Sequence, residues 1–173
     1  NFVEDFLFDG KITKHFDKLR IIYFSNLMTE KGIFDFLSSL KTLVEMNVEF
    51  EARIAGSIDI SIEQKLKSIL NDFVDRVNYL GIVHGLDKKS LLEWGNVFIL
   101  PTRLDEGQPI SILEAMALGA IVITTKQGGI PDVFKEKING FYVEINSPKS
   151  IVSQLRMISK DFTKYIQISD RNI

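Results

Sequence analysis

Two hydrophobic periods take turns along this chain. Ile21 to Ser25, Phe50 to Ala55, Val77 to Leu80, Val97 to Leu100, Ile121 to Thr124 and Gly140 to Glu144 are short apolar or β-branched runs, the pattern of strands buried inside a parallel sheet. Between them, Gly32 to Met46, Ile62 to Phe73, Lys88 to Trp94 and Pro109 to Leu118 repeat their apolar residues at three- and four-residue spacing. In the first of these, Ile33, Phe36, Leu37, Leu40, Leu43 and Val44 fall on one face, as a helix laid on a sheet requires. Strand and helix alternating in this way predict an α/β fold, a doubly wound parallel sheet of about six strands joined by right-handed crossovers. Residues 1–18 are the least regular and read as a linker and short arm; no internal repeat, low-complexity tract or second domain boundary is visible.

One junction in this frame carries chemistry. The run Glu106-Gly107-Gln108-Pro109-Ile110-Ser111-Ile112-Leu113-Glu114-Ala115-Met116-Ala117 sets two carboxylates eight positions apart across a loop-to-helix boundary. Pro109 suits the first turn of a helix, where its missing N–H would be unpaired anyway and its φ is pre-set, so the helix is expected to begin there. Behind it, Ile110, Ile112, Leu113, Ala115, Met116, Ala117 and Leu118 surround the axis and leave Ser111 and Glu114 as one narrow polar strip. Val97 to Leu100 lies upstream, so Glu106 falls in the loop leaving a strand's carboxyl end, the edge at which open α/β sheets bind ligands. Two acceptor-only carboxylates beside a helix N-terminus suit a ligand with hydroxyls at both ends and an anion in the middle, with the helix amides facing the anion. A nucleotide sugar has that layout.

The same stretch resembles the E-x7-E signature of the retaining GT-B glycosyltransferases, the family that includes sucrose and glycogen synthases and many bacterial polysaccharide enzymes. Glu106 and Glu114 match its two glutamates. The resemblance implies that Glu106, the catalytic residue of the set, contacts the donor sugar and that Glu114 contacts the ribose. Further segments match in the same order. Arg20 to Leu27 followed by Thr29-Glu30-Lys31-Gly32 is similar to the family's first strand, phosphate loop and helix, which makes Lys31 the diphosphate lysine. Asn26 stands where many members carry arginine and Ser25 where many carry glycine, so one positive charge is missing and Asn26 offers only a neutral amide. Arg53-Ile54-Ala55-Gly56, Leu100-Pro101-Thr102, Gly128-Gly129-Ile130-Pro131-Asp132 and Asn139-Gly140-Phe141-Tyr142-Val143 continue the match, with Asp132 in place of the usual glutamate.

From about Arg20 to about Ile158 the chain thus looks like the Rossmann-like C-terminal half of a GT-B enzyme. On this reading residues 1–18 are the interdomain linker, 19–160 the donor-binding domain and 161–173 the start of helices that return to an absent N-terminal acceptor domain. Gly107, Gln108, Ile110, Ser111 and Ile112 are expected to join Asn26 and Lys31 around the donor sugar and diphosphate, partly through amides near Ile110 to Ile112. Leu80, Gly81, Ile82 and Val83 are expected beside the base. The implied activity is transfer of a sugar from a nucleoside diphosphate sugar to an acceptor hydroxyl in polysaccharide, lipopolysaccharide or glycoconjugate synthesis, with this piece alone inactive. A non-catalytic nucleotide-sugar-binding module, or a degenerate subunit, remains the alternative, because Asn26 replaces an arginine.

Composition narrows the field further. With 45% hydrophobic residues the chain can build an ordinary core, and a net charge of −2 gives no case for nucleic acid. Lys11, Lys14, Lys18 and Arg20 gather near the start, where a solvated linker is the simpler reading. There is no cysteine, His15 and His84 are far apart, and no Asp-x-Asp clamp occurs, so neither metal nor cofactor is expected. No apolar run approaches the ~18 residues of a membrane span. The expected location is cytoplasmic, with peripheral attachment at the inner membrane face open to a full-length enzyme. A hydrolase using Glu106 and Glu114 as an acid and nucleophile pair is disfavoured, since glycosidase carboxylates flank the scissile bond. An epimerase of the same architecture would lack the E-x7-E run, and a receiver-type domain would need an acidic pocket after the first strand.

Overall fold

The computed structural model describes residues 14–73 and 75–172. The expected linker and arm over 1–18 therefore lies mostly outside the described residues, as does Ile173 at the end of the tail. Six strands, β1 (Leu19–Phe24), β2 (Phe50–Ala55), β3 (Val77–Tyr79), β4 (Val97–Leu100), β5 (Ile121–Thr124) and β6 (Gly140–Tyr142), form one sheet in the order β3-β2-β1-β4-β5-β6. All five pairings are parallel. The helices α1 (Ile33–Glu45), α2 (Glu63–Leu70), α3 (Gly85–Trp94), α4 (Ile110–Ala117), α5 (Ile130–Val133), α6 (Pro148–Lys160) and α7 (Thr163–Asn172) flank it. Central strands β4 and β5 are buried at every position, which is why their sequences are apolar without alternation.

The α1 stripe meets the sheet and α6 through Ile33, Phe36, Leu37, Leu40 and Leu43. Val44, expected on the same face, is 37% exposed, because a position next to Leu43 lies at the flank of a helical stripe. The helix expected from Ile62 to Phe73 ends at Leu70 and tightens into a 3-10 turn over Asn71–Phe73. α3 begins at Gly85, three residues before the expected Lys88. β6 stops at Tyr142 and not at Glu144.

Lys14 departs from the solvated-linker expectation. Its ammonium group donates to the carbonyl oxygens of Leu92, Glu93 (3.1 Å) and Gly95 (2.6 Å), where α3 leaves its last carbonyls without helical partners. Burial pushes its pKa down to about 7, against the opposing pull of Glu93. Asn96, wholly buried, completes the tie: its side-chain oxygen accepts from Arg20 N (2.9 Å) and its nitrogen donates to the carbonyls of His15 and Lys18 (2.7 Å each). The segment entering β1 is thereby stitched to the α3–β4 turn.

Candidate functional site

Strand order reverses between β1 and β4, and ligand crevices in doubly wound sheets open at such a reversal, on the carboxyl side. A cavity of about 500 Å³ lies there, and Asn26, Lys31, Gln108, Ile110, Ser111, Glu106 and Glu114 all line it. Another hollow, of about 440 Å³ beside β2 and β3, holds none of the residues expected around the donor, and its Arg53 is stacked on Trp94 at 4.0 Å.

Lys31 ends a 3-10 turn over Thr29–Lys31, and its carbonyl accepts from the Tyr23 hydroxyl at 3.0 Å. Desolvation pushes that buried tyrosine far above its ordinary range, helped by the negative charge of Glu106, so it stays a neutral donor under the loop. Lys31 Nζ reaches both carboxylate oxygens of Glu106, at 2.6 and 2.7 Å. Glu106 is further held by the hydroxyl of buried Thr102, which donates to its Oε1 (2.8 Å) and accepts from Leu104 N (3.1 Å). Its backbone carbonyl accepts from Gly129 N at 2.6 Å. The two residues matched to the diphosphate and the donor sugar are thus one ion pair.

Glu114 sits on the second turn of α4 and is 3% exposed, the notch that the polar strip predicts. It forms an ion pair with Lys88 of α3, Nζ to Oε1 at 2.8 Å. Asn26 accepts from Ser57 Oγ through Oδ1 (2.9 Å), which leaves its amide nitrogen as the end able to donate.

Pro109 occupies the N-cap with φ −80° and ψ 71°, so α4 begins at Ile110, one residue later than expected. Ile110 N donates to Gln108 O (2.9 Å) and Ile112 N to Pro109 O (3.0 Å), which turns both into the chain. Among the described residues, the Ser111 amide has no backbone acceptor, and it remains as the donor of that turn. The Ile112 side chain is fully buried in the core. Ile82 and Val83 line the cavity, whereas Leu80 and Gly81 do not: Leu80 N donates to Ile54 O (2.9 Å) and Gly81 O accepts from Gly56 N (2.8 Å). Gly107 also lies off the cavity wall.

Lys88, Thr102 and Ser57 were not legible as site residues. A usable signal existed for Lys88: in a doubly wound fold the first turn of every helix that follows a strand faces the ligand edge, so a charge there is a candidate. His84, the N-cap of α3, is exposed at the cavity rim, and His15 lies far away in the arm. Among the described residues no three His, Asp or Glu side chains gather as a metal site, and no helix is long and apolar enough to cross a membrane.

Comparison with known proteins assigns the chain. WcaL of Escherichia coli K12, a glycosyltransferase named for colanic acid biosynthesis, is 30% identical over 149 residues, covering 82% of this chain and 36% of WcaL. The chain therefore spans about a third of that relative's length. HepE of Anabaena, crystallised with UDP and glucose, shares the fold with TM-score 0.78 at 19% identity, over 90% of this chain and 42% of HepE. The C-terminal domain of the group 1 glycosyltransferase LpcC from Francisella tularensis superposes with TM-score 0.77 at 22% identity, over 89% of this chain and 82% of that domain. The sequence profile of the family described as "Glycosyl transferases group 1" matches residues 18–161, and the chain belongs to that family.

Proposed function

We propose that this chain is the donor-binding half of a retaining glycosyltransferase that moves a sugar from a nucleoside diphosphate sugar to an acceptor hydroxyl, in polysaccharide, lipopolysaccharide or glycoconjugate synthesis. The observation that carries this reading is the convergence of Lys31, Asn26, Glu106, Ser111 and Glu114 on one cavity at the reversal of strand order. Glu106 takes hydroxyls of the donor sugar, Glu114 those of the ribose, and Ile82 and Val83 flank the base. Lys31, the Asn26 amide and the Ser111 N–H at the start of α4 face the diphosphate. Their partial and formal positive charges offset the charge that develops on the leaving group, with no metal called for in the step. Donor binding is an exchange: phosphate oxygens replace Glu106 on Lys31, and sugar hydroxyls replace Lys31 on Glu106.

WcaL's role and the UDP and glucose held by HepE support the substrate class. The acceptor is assigned to a separate N-terminal domain of the same protein, at the cytoplasmic face of the membrane, so this chain binds donor and transfers nothing by itself. A thermal-shift panel of UDP-, GDP- and ADP-sugars tests the reading. One base is expected to raise the melting temperature, with a stabilisation of about 2.7 kcal/mol when ligand reaches a hundred times Kd. No shift with any of the three sugars, or with UDP, GDP and ADP, refutes it.

A further inference from the structure

We infer that Lys88 is a positioning residue for the ribose end of the site: seated on Glu114, it holds that carboxylate in place, and so sets the preference for ribose over deoxyribose. The inference rests on the proposed role of Glu114. Neither the E-x7-E pattern nor the phosphate loop contains Lys88; only the fold brings it to the cavity.

Glu114 is 3% exposed and Lys88 9% exposed, and both line the cavity. A carboxylate so far from water is costly unless it is paired. Lys88 Nζ, 2.8 Å from Oε1, pairs with it and ties it to α3.

The identity of the cation matters as well. A lysine is a compact charge, whereas an arginine's planar fork is built to take both carboxylate oxygens and would turn Glu114 to suit it. In the other pair of this site Lys31 holds both oxygens of Glu106, so that pair must open to admit a ligand. Lys88 meets Glu114 through Oε1 in the cavity wall. The mounting is firm. Leu91 and Leu92 anchor α3 in the core, and Lys14 holds its last carbonyls from the other end.

The test compares wild type, Lys88→Met, Lys88→Arg, Glu114→Gln and the double variant Lys88→Met/Glu114→Gln. Folding of each is checked by thermal melting, and calorimetry then measures UDP, GDP and ADP and the 2′-deoxy and 3′-deoxy forms of whichever binds. Wild type is expected to prefer the ribonucleotide by about 10- to 100-fold, the worth of a hydrogen bond to a charged group. Lys88→Met, Lys88→Arg and Glu114→Gln should each reduce that preference to about threefold or less. The double variant should match Glu114→Gln, because Lys88 acts through Glu114. Removing both charges together also spares the fold an unpaired buried ion, so this arm decides the matter if Lys88→Met alone does not fold. A folded Lys88→Met or Lys88→Arg that keeps the wild-type preference overturns the inference, as does a double variant much weaker than Glu114→Gln. A wild-type chain that binds none of the three nucleotides refutes the donor-site reading itself, a result distinct from either.

Discussion

Replacing Gly128 by alanine should cost stability and displace Glu106 in one stroke. Gly128 lies in the turn after β5 with φ +52°, and a β-carbon there would stand 2.4 Å from Glu106 N and 2.5 Å from Glu106 O. Both obstacles are backbone atoms, which no rotamer change can move. Ordinary contact needs roughly 3.5 Å, so the Glu106 loop or the glycine turn must shift by about 1 Å. The left-handed conformation costs an alanine about 1–2 kcal/mol, and forced overpacking adds about 1–3 kcal/mol. Gly85 supplies the control. It has the same φ of +52° and nothing within 4 Å of the added carbon, so Gly85→Ala carries the conformational cost alone.

Urea unfolding of the two variants isolates the steric part: Gly128→Ala should be less stable than Gly85→Ala by about 1–3 kcal/mol. Binding gives the second readout. A shifted Glu106 should erase any advantage of UDP-glucose over UDP without weakening UDP itself, since Glu114 keeps its place and Lys31 is loosened from its partner, not lost. Equal stability of the two variants, or parallel loss of UDP and UDP-glucose affinity in Gly128→Ala, would refute the reasoning.

Three further outcomes are expected. Lys31→Ala should remove most discrimination between UDP and uridine, whereas Asn26→Arg should tighten UDP binding and make it more salt-sensitive, because a guanidinium engages phosphate bidentately; titration at two ionic strengths decides, and weaker binding by Asn26→Arg counts against the site. Asn96→Ala should lower unfolding free energy by about 2–4 kcal/mol, for three part-buried hydrogen bonds lost, read from denaturant midpoints. Lys14 is protonated in the unfolded chain up to its ordinary value near 10.5 but loses its proton near pH 7 when folded. Between those limits the unfolded state binds more protons, so wild-type stability should rise with pH relative to Lys14→Met by up to about 1.4 kcal/mol per unit, and identical slopes would count against it.

The sheet was legible because each strand is short, apolar and separated from the next by a helical period; the ends of the expected strands and helices moved by one to three residues, and α6 was not among them. Strand order was not legible, since no local pattern states which strand neighbours β1, and it is that order which puts the crevice between β1 and β4. The site was half legible. Glu114 stands out because it interrupts an apolar helix and Glu106 because it follows a buried strand, but Glu114's partner Lys88 comes from another element, α3, and Thr102, four residues before Glu106, carries no local mark of its bond to it. The hydrogen bonds of the Ile110 and Ile112 amides were not legible either. A helix N-terminus normally leaves four free N–H groups, but here the turn around Pro109 consumes two of them before any ligand arrives.

Under the proposed reading the site accommodates a diphosphate, which requires cations, and hydroxyls, which require acceptors, yet four such charges are costly if left unpaired in a cavity wall this buried. Lys31 pairs with Glu106 and Lys88 with Glu114, and the two pairs differ in how readily they open. Lys31–Glu106 lies in a loop held by hydrogen bonds, with side chains 18% and 12% exposed, so water helps its charges part. Lys88–Glu114 joins two helices, with side chains 11% and 4% exposed, and separating it would strand a buried charge. Under the proposed reading the pair that must break for phosphate and sugar is therefore the looser one, and the pair that must hold its geometry for ribose is the firmer one. With Asn26 in place of an arginine, no further cation from that position covers the phosphate while Lys31 changes partners, so donor affinity in this chain depends closely on how weakly Lys31 holds Glu106.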